Sequence, residues 1–388
     1  MAAERLLTAQ RKCFVSQRAL AEILSIVKDD DEEDLATSRQ TLKRKRAREL
    51  QMETPYGPLW RTMTGFVMEK GRPLTVSYLD PAALLWAVCR DGQGFAEFLV
   101  RRNELHPSGP SQPWSICLYM DEVSPGNQLK PSNDRKLQVI YMSLKQLGGL
   151  ALSKEDSWLL VSCIRSVDVK RCANGMAQVM KRFLEVFLVE RRDVLRSGLL
   201  LPTANMTLCC KLSLIIADEL ALKQLWEDKG AGGNKLCFKC TNVVAESSDL
   251  HNHDRAGVLM SHANPDKNRM ILQTDSGMMK AAKHLAEQHP VLNKGQFKTR
   301  EMALGLNYVP HGCLYSENLR DQLKPITFSM FDWMHCFLVG GVMQHEMNLL
   351  RVLLKQEGIE PEQMCLGCPD GNSRVGLLEL LWKQEVLV

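Results

Sequence analysis

The chain has 388 residues, 45% of them hydrophobic and 24% charged, and a formal net charge of +4. That apolar content excludes a chain disordered throughout and supports a sizeable core, in one elaborated domain or in two or three. The small net charge does not by itself mark a nucleic-acid binder, because local clusters matter more than the total. Thirteen cysteines accompany an N-terminus, MAAERLLTAQRKCF, that lacks the apolar core of a secretory signal. This pattern predicts a reducing compartment, with free thiols or metal ligands in place of a disulfide framework. No apolar run is long enough for a membrane span, and none is expected.

Residues 1–28 have a helical pattern that gives way to an acidic run at 29–34 and a basic one, Lys43-Arg44-Lys45-Arg46. Segment 1–50 is therefore read as helical, charged and partly disordered. The basic run is a solvated helix face, a nuclear-import signal or a phosphate-contacting arm, and nothing in the sequence separates the last two uses. Turn signals around two predicted helices, 81–88 and 94–102, make 51–112 a small helical lead-in module.

The informative part follows. Trp114–Asp121 is an apolar, β-favouring run without Gly or Pro that ends in Asp121-Glu122 and a Ser-Pro-Gly-Asn turn, as a buried strand does when it delivers a carboxylate to its C-terminal tip. Strands predicted at 137–147 and 158–169 are joined by short connections, which suggests an antiparallel meander. Gly175–Asp193 has the i, i+3, i+4, i+7 pattern of an amphipathic helix. Leu212–Asp218 is a fourth apolar run ending in an acid.

A right-handed helical crossover makes the fourth strand a parallel neighbour of the first, in the order 3-2-1-4. The fold class is then α/β, a ribonuclease H-like mixed sheet with helices, over residues 113–228. Parallel neighbours lie about 4.8 Å apart, so acids at both tips share one crevice. Alternation sends Asp121 and Glu122 to opposite faces, and Asp218 and Glu219 likewise; the shorter aspartates are the predicted metal ligands.

Beyond a short helix at 219–227, Asp228–Gly233 lacks phosphate-loop spacing and reads as a plain linker. Cys237-Phe-Lys-Cys240 with His251 and His253 forms a CxxC…HxH set suited to structural zinc; the competing reading is thiols with unrelated surface histidines. Cys209-Cys210 reads as core, and Cys365 with Cys368 is a weaker pair. Residues 229–330 are expected to be an insertion holding this knuckle and mostly helical, polar sequence. Its cations Lys280, Lys283, Lys294, Lys298 and Arg300 serve a solvated face or track a nucleic-acid backbone. Residues 331–388 are predicted helices completing the core. On one continuous helix His335 and Glu346 would stand about 16 Å apart, but Gly340-Gly341 between them can break it. Glu346 is the candidate third acid of a two-metal cage and Asp332 its fallback.

Taken together, YMDEVSPGN, ADELALKQLWEDKGAGGNKLCFKC and FDWMHCFLVGGVMQHE resemble the catalytic region of cut-and-paste DNA transposases with a ribonuclease H-like D-D-E core. The resemblance is nearest to the CACTA-like (En/Spm-related) eukaryotic groups and covers about residues 113–353. It implies that Asp121 and Asp218 are the first two acids and Glu346 the last, preceded by Asp332-Trp-Met-His335, with His335 bracing the fold or the DNA. It also implies two Mg²⁺ or Mn²⁺ ions, transposon-end DNA as substrate, strand cleavage and transfer, and a nuclear location, with the cytoplasm as the alternative. A catalytically silent, transposon-derived DNA- or protein-binding protein is the alternative function, and a ribonuclease H-like nuclease unrelated to transposition a third. Association into a homo-oligomer is left open.

Overall fold

The computed structural model describes residues 51–91, 94–124, 135–202, 206–338 and 342–356. The basic run 43–46, the expected charged segment 1–50, Gly340-Gly341 and the Cys365/Cys368 pair lie outside the described residues. The chain divides into two compact units, Met1–Met330 and Phe331–Val388. The boundary falls where the C-terminal helical segment was predicted to begin, whereas 51–112, 113–228 and 229–330 belong to one unit.

The first unit is built on a seven-stranded mixed sheet. Its strands are β1 (Trp60–Met63), β2 (Val76–Leu79), β3 (Trp114–Val123), β4 (Leu137–Leu144), β5 (Leu159–Arg165), β6 (Cys210–Ala217) and β7 (Ser329–Phe331), where the unit ends. Their spatial order is β7-β6-β3-β4-β5-β2-β1. β6 runs parallel to β3, whereas β3–β4, β4–β5, β5–β2 and β2–β1 are antiparallel. The described helices of this unit include α1 (Pro81–Asp91), α2 (Phe95–Leu105), α3 (Gly175–Glu185), α4 (Glu219–Leu225), α5 (Asp275–Gln288) and α6 (Lys294–Leu304).

The two faces of the sheet differ because side chains alternate along each strand. On β3, Ile116, Leu118 and Met120 are buried, while Tyr119 and Asp121 on the other face are half-buried. Met120, Ile140, Ser162 and Tyr78 form one row across β3, β4, β5 and β2. Phe183 of α3 meets Tyr78 edge-on at 6.1 Å, so the crossover helix lies on the Met120 face. The predicted stripe of α3 is indeed its packed side, with Met176, Val179, Met180, Phe183 and Leu184 buried; each such side chain contributes about 1.5–3 kcal/mol.

The expectation of a separate helical module over 51–112 is corrected. Its two helices form, but β1 and β2 join the main sheet beside β5. Four-residue strands are too short for an alternating pattern to show in sequence, and the pairing that joins them to the sheet, Tyr78 with Ser162, spans more than 80 residues of chain. Asp80 fixes this junction. It is fully buried, takes Arg61 at 2.9 Å and Arg191 at 2.5 Å, and accepts the Ala82 and Ala83 N–H groups at the start of α1.

In the second unit, α7 (Trp333–Phe337) and α8 (Val342–Gln356) are separate helices. His335 and Glu346 therefore do not share one continuous helix. Among the described residues no helix is long and apolar enough to cross a membrane.

Candidate functional site

β3 does not end at Asp121, as the sequence predicted. It pairs with β4 for two further residues: Asp121 faces Val139, Glu122 faces Gln138 and Val123 faces Leu137. The antiparallel partner prolongs the ladder, while the parallel partner has already turned away into α4. On that side the paired register runs to Ile216↔Tyr119. β6 ends at Ala217, and Asp218 follows it directly as the N-cap residue of α4.

Glu122 is turned to the opposite face and is fully engaged there. It takes Lys136 Nζ at 2.6 Å, Ser166 Oγ at 2.8 Å and Gln138 Nε2 at 2.9 Å. Burial alone would raise its carboxyl pKa, but the hydrogen bonds from Lys136 and Ser166, with the charges of Lys136 and Lys170, outweigh that and lower it. Asp121 accepts its neighbour's N–H, that of Glu122, at 2.7 Å and the Tyr119 hydroxyl at 3.4 Å. Asp218 caps α4, accepting Ala221 N–H at 2.6 Å, whereas Glu219 is exposed and pairs with Lys223 one turn on. On β3, Asp121 and Glu122 thus lie on opposite faces, and after β6 it is Asp218 that is held by the backbone of α4 while Glu219 is exposed.

The remaining candidate acids belong to the second unit. Asp332 caps α7 through Met334 N–H at 3.0 Å and pairs with His335 Nδ1 at 2.7 Å. Glu346 lies exposed on α8.

The knuckle residues are only partly gathered. Cys240 N–H donates to Cys237 O at 3.3 Å, and the Cys240 thiol is pushed up to about 11, by burial first and then by Cys237. The histidines sit on a one-turn helix, Leu250–His253, where His251 lies 3.8 Å from Glu246 and His253 3.0 Å from Asp249. Among the described residues, no group of three or more His, Cys, Asp and Glu side chains is placed to hold a metal ion. Cys237, Cys240, His251 and His253 are not gathered as such a group; His253 pairs with Asp249, and His251 Nδ1 is buried without a hydrogen-bond partner. The ten described cysteines are all free thiols.

The segment after α4 is not the plain linker expected. Asp228 N–H bonds Lys223 O, Lys229 N–H bonds Gly305 O and Asn234 N–H bonds Met302 O, which ties 228–234 to α4 and α6. Inside it are two buried acids that sequence reasoning passed over. Glu227, at a left-handed φ of 53°, accepts Cys313 N–H at 2.6 Å and Leu314 N–H at 3.4 Å. Burial raises its pKa well above the carboxylate range, and those two hydrogen bonds only partly offset it. Asp228 is raised by burial from the ordinary 3.8 to about 7, although the Lys223 charge pulls the other way. Its Oδ2 has no hydrogen-bond partner. The one sequence signal was an acidic pair beside Trp226, which is itself completely buried.

No protein-family model matches this chain, and no curated protein matches it significantly.

Proposed function

We propose that the first unit is a ribonuclease H-like core and that the protein is a transposase-like enzyme, cleaving and joining DNA strands by metal-dependent phosphodiester chemistry. The observation that carries this reading is the parallel pairing of β6 with β3, in a sheet where β5, β4, β3 and β6 stand side by side, with Asp121 near the end of β3 and Asp218 directly after β6. Hard carboxylate oxygens suit Mg²⁺ or Mn²⁺, and Asp121 and Asp218 would supply two ligands; the resemblance names Glu346, with Asp332 as fallback, as the third acid. When bound, two such ions would activate water or a DNA 3′-hydroxyl and stabilise the leaving 3′-oxygen.

The protein's own part is positioning. Capping by Asp218 fixes its carboxylate at the head of α4, and the Glu122 network anchors the end of β3 so that Asp121 is held on the other face. Asp332 and His335 are engaged with one another, whereas Glu346 is exposed on α8 and makes no ion pair among the described residues. The basic run 43–46 would carry the chain to the nucleus, and transposon-end DNA is the proposed substrate.

In Mg²⁺ or Mn²⁺ the purified full chain is expected to nick supercoiled plasmid DNA. Losing a metal-orienting neighbour already costs metalloenzymes about 10–100-fold, so Asp121→Asn or Asp218→Asn should lower the rate by at least about 100-fold, while Glu122→Gln keeps most of it. Equal nicking by Asp121→Asn would sink the proposal. A second reading, a catalytically silent DNA- or protein-binding descendant, is favoured by the use of Asp218 as a helix cap and by the absence of a gathered group of three ligands among the described residues. It predicts no nicking by the wild type and salt-sensitive DNA binding that all three variants retain.

A further inference from the structure

On the Glu122 face of the sheet, at the carboxyl ends of β3 and β6, lies an open cleft of about 830 Å³. The first turn of α3 borders it, together with Glu122, Lys170, Lys223, Asp228 and Lys229. Crevices at the carboxyl ends of parallel strands are where open α/β sheets receive ligands. We propose that this cleft binds a phosphate group, from a nucleic-acid strand or a free nucleotide, seated between the first turn of α3, Lys170 and the buried carboxyl of Asp228.

Asn174 occupies the N-cap in the left-handed conformation, φ 62°, and its side chain makes no capping hydrogen bond. Gly175 N–H donates to Cys172 O at 3.0 Å and Ala177 N–H to Asn174 O at 3.2 Å, so this eleven-residue helix offers chiefly the positive end of its dipole and the N–H of Met176 between them. The charges around it are unevenly committed. Glu122 is held by Lys136, Lys223 is paired with Glu219, and Lys229 sits 3.2 Å from Glu301 and 2.7 Å from Asn307. Lys170 is exposed and makes no ion pair among the described residues.

A second, independent observation points to a ligand. Asp228 lines the cleft, is only 7% exposed, and has a side-chain oxygen, Oδ2, without a partner. Buried polar atoms are nearly always satisfied, so an orphan bordering a cleft calls for a group that enters it. Because burial holds this carboxyl protonated up to about pH 7, it offers an O–H to a phosphate oxygen and adds no opposing charge. Burial likewise keeps Glu227, also on the cleft wall, largely protonated. The site does not rest on the catalytic reading, since Asp121 belongs to the other face.

The test uses the full chain, with fluorescence anisotropy of a labelled oligodeoxythymidylate and competition by thymidine 5′-monophosphate and inorganic phosphate, all at fixed salt. Lys170→Glu and Asn174→Asp change exposed positions; the second supplies an internal carboxylate that competes for the helix end. Each is expected to weaken binding by about tenfold or more, and Lys170→Glu to lower the salt slope by about one. Lys280→Glu, on α5, is expected to leave both unchanged. Displacement of the oligonucleotide by the monophosphate supports a shared phosphate seat. Binding of the monophosphate alone, lost in both variants, supports the same seat with a nucleotide as its source. The proposal is overturned if neither probe binds, or if both variants bind like the wild type.

Discussion

Glu227→Ala is expected to cost the first unit about 4 kcal/mol, seen as a fall of roughly 10 °C in melting temperature. Two buried N–H groups, of Cys313 and Leu314, lose their acceptor, and each orphaned donor costs about 1–3 kcal/mol in addition to the cavity left behind. Glu227→Gln keeps a carbonyl oxygen in place and, because burial already favours the uncharged carboxyl, should cost no more than about 1 kcal/mol. Gly312→Ala should resemble the alanine variant of Glu227. A Cβ at Gly312 would stand 2.0 Å from Glu227 Oε1, so the carboxyl would have to swing away and give up its hydrogen bonds to Cys313 and Leu314. A melting temperature for Glu227→Ala within about 2 °C of wild type, an energy under about 1 kcal/mol, would show that the 312–314 loop is held by something else.

Asp228 is expected to make stability depend on pH in a stated direction. Its folded-state pKa is about 7 against an ordinary 3.8, so between these values the unfolded chain releases the proton and the folded chain keeps it. Stability then falls as pH rises from about 4 to about 7 and is flat above that, by up to about 4 kcal/mol. Asp228→Asn cannot ionise. Urea unfolding at pH 4.5 and pH 8 should show the variant gaining on the wild type at the higher pH, with little difference at the lower. A constant difference at both would mean that Asp228 is not held protonated in the folded chain.

These two residues also show where sequence reading loses its hold. Glu227-Asp228 stands before a glycine-rich stretch, and acids beside glycines are ordinarily solvated turn residues. They are buried here because loops from residues 305–314 close over them, and those contacts are 75 or more residues away along the chain. The zinc expectation met a similar limit. The CxxC…HxH spacing is local, but whether the four side chains converge depends on how the 237–240 turn and the 250–253 helix are placed, and among the described residues they are not gathered.

Other parts were legible because their causes are local. The strands at 114–123, 137–144, 159–165 and 210–217 announce themselves as apolar runs between turn signals, and α3 by its period. The choice of Asp121 over Glu122 follows from alternation alone, and the engagement of Glu122 by Lys136, Gln138 and Ser166 agrees with it.

What the sequence determined by itself was thus the run of strands and the crossover helix between the third and fourth, because burial of one face or both imposes a period on each element. It also determined that two of these runs close on aspartates. Tertiary structure alone decided that β1 and β2 extend the sheet, that β3 continues past Asp121, and that β6 pairs with β3 in parallel register, since pairing and register are relations between distant segments. The same holds for the buried pair Glu227-Asp228 and the cleft beside it. A carboxylate's protonation and partners depend on what covers it, and the cover comes from elsewhere in the chain.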